Sequence, residues 1–257
     1  MFILINKPSG PTSHDIVNSL RKITGVKRIG HAGTLDPFAE GLLICAISRE
    51  STSLLGNFLK LDKTYLATLR LGVTSNTYDR TGNIVLSSPC QGSLFRDMQG
   101  RRVIDEPKKY YVKLTKKLII TALQKFIGEQ FQTPPAFSAK KINGRKAYEL
   151  ARQGKPIDLK PNKITIYSIK ILEIRNLELK IEVRCTSGTY IRSLAHDLGQ
   201  TLGCGAILEK LVRTQIGGYN LKNAVSPDIL TPKNWQKHCL PEIQNLKLAL
   251  APNCTWS

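Results

Sequence analysis

Asp36 stands in the segment Gly30-His31-Ala32-Gly33-Thr34-Leu35-Asp36-Pro37, among glycines and a proline, with no helical or strand periodicity. Glycine lets a backbone come close to a ligand, and Pro37 fixes φ while removing one backbone donor. Such a loop can hold a carboxylate still beside something planar and large. The same residues also suit an Asx-turn, in which Asp36 caps its own backbone. Three further segments carry reactive or planar groups: Lys7-Pro8-Ser9-Gly10, Lys63-Thr64-Tyr65, and Thr186-Ser187-Gly188-Thr189-Tyr190-Ile191-Arg192. Tyr190 and Arg192 are two apart, so extended geometry places them on one face. Each has a plainer reading too. Tyr65 suits an ordinary strand aromatic, Arg192 a surface ion pair, His31 a packing residue and Lys7 a charged turn.

These groups belong to a chain of 257 residues, suited to one large domain or a domain with an appendage. Lys and Arg number 38 against 19 Asp and Glu, a formal net charge of +19. That excess implies a polyanionic partner, because self-repulsion destabilises the compact state. Residues 101–155 concentrate it, with 14 Lys and Arg against 4 Asp and Glu, a net of +10. Tyr110, Tyr111, Phe131, Phe137 and Tyr148 are interleaved there. Basic segments with aromatics favour RNA over duplex DNA, because unpaired bases can stack on rings.

A membrane partner fits poorly. The longest apolar run, residues 41–47, falls far short of the ~20 residues a spanning helix needs. The start, Met1-Phe2-Ile3-Leu4-Ile5-Asn6-Lys7, turns polar too soon for a secretory segment, so a cytoplasmic protein is expected. Six cysteines show no Cys-x-x-Cys spacing, and only four histidines exist. That argues against zinc and for reduced thiols.

The elements that must position these groups can be read in order. A strand is expected over residues 2–6. A helix capped by Thr12 or Ser13 should run to about Thr24, with Ile16, Leu20 and Ile23 at helical spacing. The 30–37 loop follows, then an apolar strand over 41–47, a short helix over 52–61 and a strand over 63–73. Thr74–Asn83 reads as a polar turn region, and about 89–112 as a Gly-, Pro- and charge-rich insertion. Helices are expected over 115–127 and 146–153, a hairpin over 164–186 turning at Arg175-Asn176, and a helix ending at Gly203. Ala206–Leu211 and Thr214–Tyr219 finish the folded part, and the last ~35 residues lack periodicity. Strands and helices mix without strict βαβ alternation, which points to α+β with a mainly antiparallel sheet.

The motifs resemble, in order, those of the TruB family of tRNA pseudouridine-55 synthases. They are KPSGPTSHD (7–15), RIGHAGTLDPFAEGLL (28–43), DKTYLATLRLG (62–72), TPPAFSAKKINGRKAYELARQG (133–154), CTSGTYIRSLAHDLGQTLGCGA (185–206) and LVRTQIGGY (211–219). The resemblance implies a pseudouridine synthase-like α+β fold: a mixed, mainly antiparallel sheet flanked by helices, with a basic insertion. It implies a catalytic domain over 1–220, including an RNA-binding insertion over about 90–155. Residues 221–257 would be a short tail rather than a full appended RNA-binding domain. It also implies isomerisation of the T-loop uridine of tRNA, with no cofactor, no metal and no protein partner, by a monomer.

The resemblance assigns the roles as follows. Asp36 matches the catalytic carboxylate. Tyr65 matches the active-site tyrosine that stacks on the flipped uracil, and Arg192 the arginine that pairs with the Asp. His31 matches a histidine that takes part in flipping, and Tyr190 and Leu211 match residues lining the nucleotide pocket. Physical chemistry agrees. A stacked base must be extruded at a few kcal/mol before it can be reached. Tyr65 and Leu211 can supply flat apolar walls. A guanidinium within ~4–6 Å can offset the cost of burying a carboxylate, by about 1–3 pKa units. Arginine suits this better than lysine, because it stays charged and offers two donors. The chain departs from the family at Val212, where an arginine is commoner, and in the long 90–112 insertion. A non-catalytic RNA chaperone, or a synthase acting on another RNA, remains an alternative.

Overall fold

The computed structural model describes residues 1–87, 90–91, 112–138, 141–142, 145–146, 153 and 159–240. In chain order the strands are β1 (Phe2–Lys7), β2 (Ile29–Ala32), β3 (Glu40–Ile47), β4 (Lys63–Leu71), β5 (Val73–Ser75), β6 (Ile84–Leu86), β7 (Cys90–Gln91), β8 (Val112–Lys113), β9 (Gly128–Gln132), β10 (Lys141–Ile142), β11 (Arg145–Lys146), β12 (Asn162–Arg175), β13 (Glu178–Cys185), β14 (Ala206–Ile216) and β15 (Tyr219–Asn220). The α-helices are α1 (Ser13–Thr24), α2 (Arg49–Ser53), α3 (Leu55–Leu59), α4 (Lys116–Gln124) and α5 (Ile191–Leu202). The expected helix over 146–153 and nearly all of the 90–112 insertion lie outside the described residues. Pairing is antiparallel along β1, β2, β3, β9, β12 and β15, with a short parallel contact between β3 and β14. The expected mixed, mainly antiparallel α+β fold is what the chain adopts.

Two compact units make up the chain, Met1–Leu66 with 184–187 and 211–257, and Ala67–Val183 with 188–210. In the first unit β3 is buried along nearly its whole length because both its faces are covered. Ile3, Ile5, Leu43, Cys45 and Ile47 pack with Ile16, Val17 and Leu20 of α1 and with Leu230 and Trp235. Phe2, Leu4, Leu42, Ile44 and Ala46 pack on the other side with Phe58 and Ile216. Alternate strand residues thus feed opposite layers, which is why these strands read as continuous apolar runs.

Helix α1 begins where the sequence says it should. Thr12 accepts from the Asp15 amide while Asp15 accepts from the Thr12 amide, and Gly25 closes the helix at φ 72°. Other expectations need correction. Residues 30–32 of the expected loop belong to β2, paired with β3 through Gly30↔Ala46, His31↔Cys45 and Ala32↔Ile44. The single helix expected over 52–61 is two short ones. The two segments expected over 206–219 are one strand, β14, followed by β15. Residues 221–240 pack onto β1 through isolated pairings, Ile5↔Val225 and Ile3↔Cys239. Such a segment has no period to read.

In the second unit β9 and β12 pair antiparallel from Asn162↔Gln132 to Ile166↔Gly128. The 175–176 turn joins β12 to β13, with Asn176 at φ 54° supplying the left-handed residue the turn needs. Helix α5 buries Ile191, Leu194, Ala195, Leu198 and Leu202. A side chain at Gly199 would strike the Ala206 amide at 2.1 Å, so glycine is what lets the chain leaving the helix fold back against it.

Candidate active site

Asp36 sits in residues 33–39, the connection of the β2–β3 hairpin. β1 pairs along one edge of β3, so β2 and β14 must share the other. β2 takes the far end of that edge, and β14 takes the mouth of the hairpin through Val212↔Glu40 and Arg213↔Gly41. Gly41 makes this approach possible, at φ 106° and with a Cβ that would lie 2.4 Å from the Arg213 carbonyl oxygen.

The loop is held at nearly every residue. Lys7 Nζ donates to the carbonyl oxygens of Pro8 (2.8 Å), Pro37 (3.1 Å) and Ala39 (2.7 Å). The Gly10 amide also donates to Pro37 O, and Ser9 Oγ donates to Phe38 O. Ser13 Oγ accepts from the Leu35 amide at 2.9 Å and lies 3.2 Å from Leu35 O. Arg213 Nη2 reaches Gly33 O at 3.0 Å, and its Nε reaches Leu42 O at 2.8 Å. Asp36 itself is half-exposed, between buried Leu35 and buried Phe38. The backbone is fixed from both ends around a partly exposed Asp36.

Lys7 is fully buried and Arg213 nearly so. Burial lowers the Lys7 ammonium to about 8, against the attraction of the Glu40 and Asp36 carboxylates. Burial likewise lowers Arg213, opposed by the neighbouring Tyr65. The Tyr65 phenol is raised by burial, so it stays neutral at physiological pH. His31 is lowered by burial and by the nearby cations Arg213 and His14, which keeps its ring neutral. Leu211 is buried on β14, two residues before Arg213. Asp36, Tyr65, His31 and Leu211 thus belong to one unit, with Arg213 linking the Asp36 loop to Tyr65. Val212, where the sequence departs from the family, is half-buried opposite Glu40.

Tyr190 and Arg192 belong to the other unit, at the start of α5. Arg192 is buried and forms an ion pair with buried Asp79 at 3.4 Å. It also donates to Thr77 O (3.2 Å) and Phe137 O (3.0 Å). Asp79 Oδ1 accepts from Thr77 Oγ1, the Thr81 amide and Thr81 Oγ1. Sequence reasoning passed over Asp79 as part of a polar turn, and over Arg213 altogether. The one signal for Arg213 was a charge inside an otherwise apolar strand.

Comparison with known proteins places this architecture. The chain is similar to a solved Cbf5–Nop10–Gar1 complex, with 26% identity and a TM-score of 0.62, over 88% of this chain and 51% of that one. A box H/ACA ribonucleoprotein bound to substrate RNA gives 24% identity and a TM-score of 0.60, which shows the fold. The chain spans about half the length of those proteins. The family model for the TruB pseudouridylate synthase N-terminal domain matches residues 21–94 and 95–191. The model for the tRNA pseudouridylate synthase B C-terminal domain matches 192–252. The class that these models describe is the TruB family of pseudouridylate synthases.

Relatives named tRNA pseudouridine synthase B narrow the class. That of Clostridium kluyveri is 40% identical over 92% of this chain and 74% of its own length. That of Protochlamydia amoebophila is 40% identical over 93% and 82%. One from Prochlorococcus marinus is 44% identical over 89% of this chain, which spans 66% of that relative. The chain belongs to the TruB family.

Proposed function

We propose that this protein isomerises uridine-55 in the T-loop of tRNA to pseudouridine, with Asp36 as the carboxylate nucleophile. The observation that carries this reading is the Asp36 loop, whose backbone is tied down by Lys7, Ser9, Ser13 and Arg213 around a partly exposed aspartate. A carboxylate fixed before substrate arrives loses little freedom in the reaction, which favours attack. The N1–C1′ bond of the uridine breaks, the uracil turns, C5 bonds to C1′, the C5 proton leaves and N1 takes one up; the bond that Asp36 forms on attack breaks again before product leaves. Tyr65 stacks on the everted uracil, Leu211 lines the pocket for it, and His31 occupies the space the base vacates. Tyr190 and Arg192 serve the same isomerisation, Tyr190 as a nucleotide contact and Arg192 as a cation.

The names of relatives at 38–44% identity favour tRNA over a guide-RNA target. The enzyme is proposed to act as a cytoplasmic monomer on the T-arm without a partner protein. Among the described residues no helix is long and apolar enough to cross a membrane. Tritium release from 5-tritiated uridine in tRNA tests the reading. Wild type should release tritium from full tRNA and from an isolated T-arm hairpin. Asp36→Asn should bind tRNA with unchanged affinity and release none. Full turnover by that variant removes Asp36 from the mechanism, and turnover only with added RNA or protein favours a guided enzyme.

A further inference from the structure

Helix α5 starts without a cap of its own. Its N-cap residue, Tyr190, is extended at φ −98° and ψ 110° and its side chain makes no capping hydrogen bond. A helix start in that condition needs another group to fix it. The group here is Gln132, the last residue of β9, which is 5% exposed. Its Oε1 accepts from the Tyr190 amide at 2.7 Å, and its Nε2 donates to the Tyr190 carbonyl at 3.0 Å. One side-chain amide therefore clasps both polar groups of one residue. The two contacts also fix the amide's orientation, because a flipped Gln132 would set donor against donor and acceptor against acceptor. The next residue in sequence adds a second tie, since Ser193 Oγ donates to Thr133 O at 2.7 Å.

Arg192 lies between these two anchored positions, 190 and 193. Its guanidinium reaches Phe137 O in the chain leaving β9, and Asp79 and Thr77 on the other side. Its direction is set by the first turn of α5, and that turn is set by the clasp. We propose that Gln132 is a positioning residue for Arg192, acting through its two-point hold on the Tyr190 backbone at the start of α5. The inference rests on the reading that Arg192 serves the isomerisation.

Gln132→Glu tests it with little change of shape. The carboxylate can still accept from the Tyr190 amide, but it cannot donate to the Tyr190 carbonyl and repels it instead. Single-turnover rate, tRNA dissociation constant and Tm are measured together, well below every Tm so that all protein is folded. A shift of about 1 Å at Arg192 should lower the rate about ten- to a hundredfold. The dissociation constant should stay within about twofold, since binding is not what the clasp serves. In an Arg192→Lys background the same substitution should cost less than about threefold, because two residues acting as a unit are not additive.

Three results would overturn the proposal: a rate near wild type, a loss confined to tRNA binding, or an undiminished loss in the Arg192→Lys background. Amide exchange at Tyr190 keeps it testable without activity or a folded variant. In wild-type protein that amide should be strongly protected, and rapid exchange there shows that no clasp exists. If wild type itself makes no pseudouridine, the functional reading falls, and the exchange measurement still judges the clasp.

Discussion

Arg192 and Asp79 form an ion pair at 3.4 Å with both side chains almost wholly removed from water. Desolvating two charges is expensive, so such a pair survives only where other hydrogen bonds complete it. Here Thr77 and Thr81 satisfy the second oxygen of Asp79, while the carbonyls of Thr77 and Phe137 take further guanidinium protons. Asp79→Ala would take a carboxylate away from a buried guanidinium and remove the acceptor for three donors. It should destabilise the protein by about 3–5 kcal/mol, read by denaturant unfolding. Asp79→Asn keeps the shape and an acceptor oxygen, and should cost less. A cost under about 1 kcal/mol for Asp79→Ala would show the pair to be dispensable.

The sequence made the Asp36 loop visible but not its moorings. Lys7 looked like a turn lysine because its three acceptors include carbonyls thirty and more residues away, beyond any local pattern. Asp79 looked like turn chemistry because Thr77 and Thr81 do bond it as an Asx motif would; its partner is 113 residues further on. Helix α1 and β13 were legible because their burial is periodic, and β3 because it is a continuous apolar run. β9 was not, since four residues alternating between half-exposed and exposed before buried Gln132 give too short a signal.

Lys7→Met removes the donor shared by Pro8, Pro37 and Ala39. The buried Ala39 carbonyl left without that donor costs about 1–3 kcal/mol, whereas Pro37 O keeps the Gly10 amide and exposed Pro8 can turn to water. The fold, with two apolar layers on β1 and β3, should persist, while Asp36 loses its fixed backbone. Turnover should fall at least tenfold with tRNA affinity little changed. The pH dependence has a defined sign. Lys7 titrates near 8 in the folded protein and near 10.5 unfolded. Between those values the unfolded chain holds the proton and the folded chain has released it, so stability rises with pH. The advantage of wild type over Lys7→Met should therefore grow from about pH 8 to about pH 10.5. An advantage that stays flat over that range contradicts the burial of the ammonium.

Tyr65→Phe separates the ring from the hydroxyl. The ring is what stacking on uracil needs, whereas the hydroxyl is the polar group that buried Tyr65 sets beside buried Arg213. Removing that polar neighbour should cost about 1–2 kcal/mol and lower Tm by several degrees. Affinity for tRNA should not change. Weakened binding with an unchanged Tm would mean that the hydroxyl faces the RNA instead.

Tyr78 adopts φ 62°, a left-handed backbone for a bulky residue. That costs about 1–2 kcal/mol relative to an unstrained residue. The turn sends two consecutive side chains onto α5: Tyr78 stacks on His196 with centroids 3.9 Å apart and planes 12° off parallel, and Asp79 takes Arg192. Residues 192 and 196 are one helical turn apart on the same face, so the strained residue sets both contacts at once. An aromatic stack returns about 0.5–1.5 kcal/mol, close to what the backbone strain costs. Tyr78→Gly loses the stack and relieves the strain, so its stability should fall within about 1 kcal/mol of wild type. Tyr78→Ala loses the stack and keeps the strain, and should be about 1 kcal/mol less stable than Tyr78→Gly. Equal stability of the two variants in urea unfolding would show that the turn relaxes once the ring is gone. Asp79 would then be expected to lose its hold on Arg192, and turnover should drop in both variants alike.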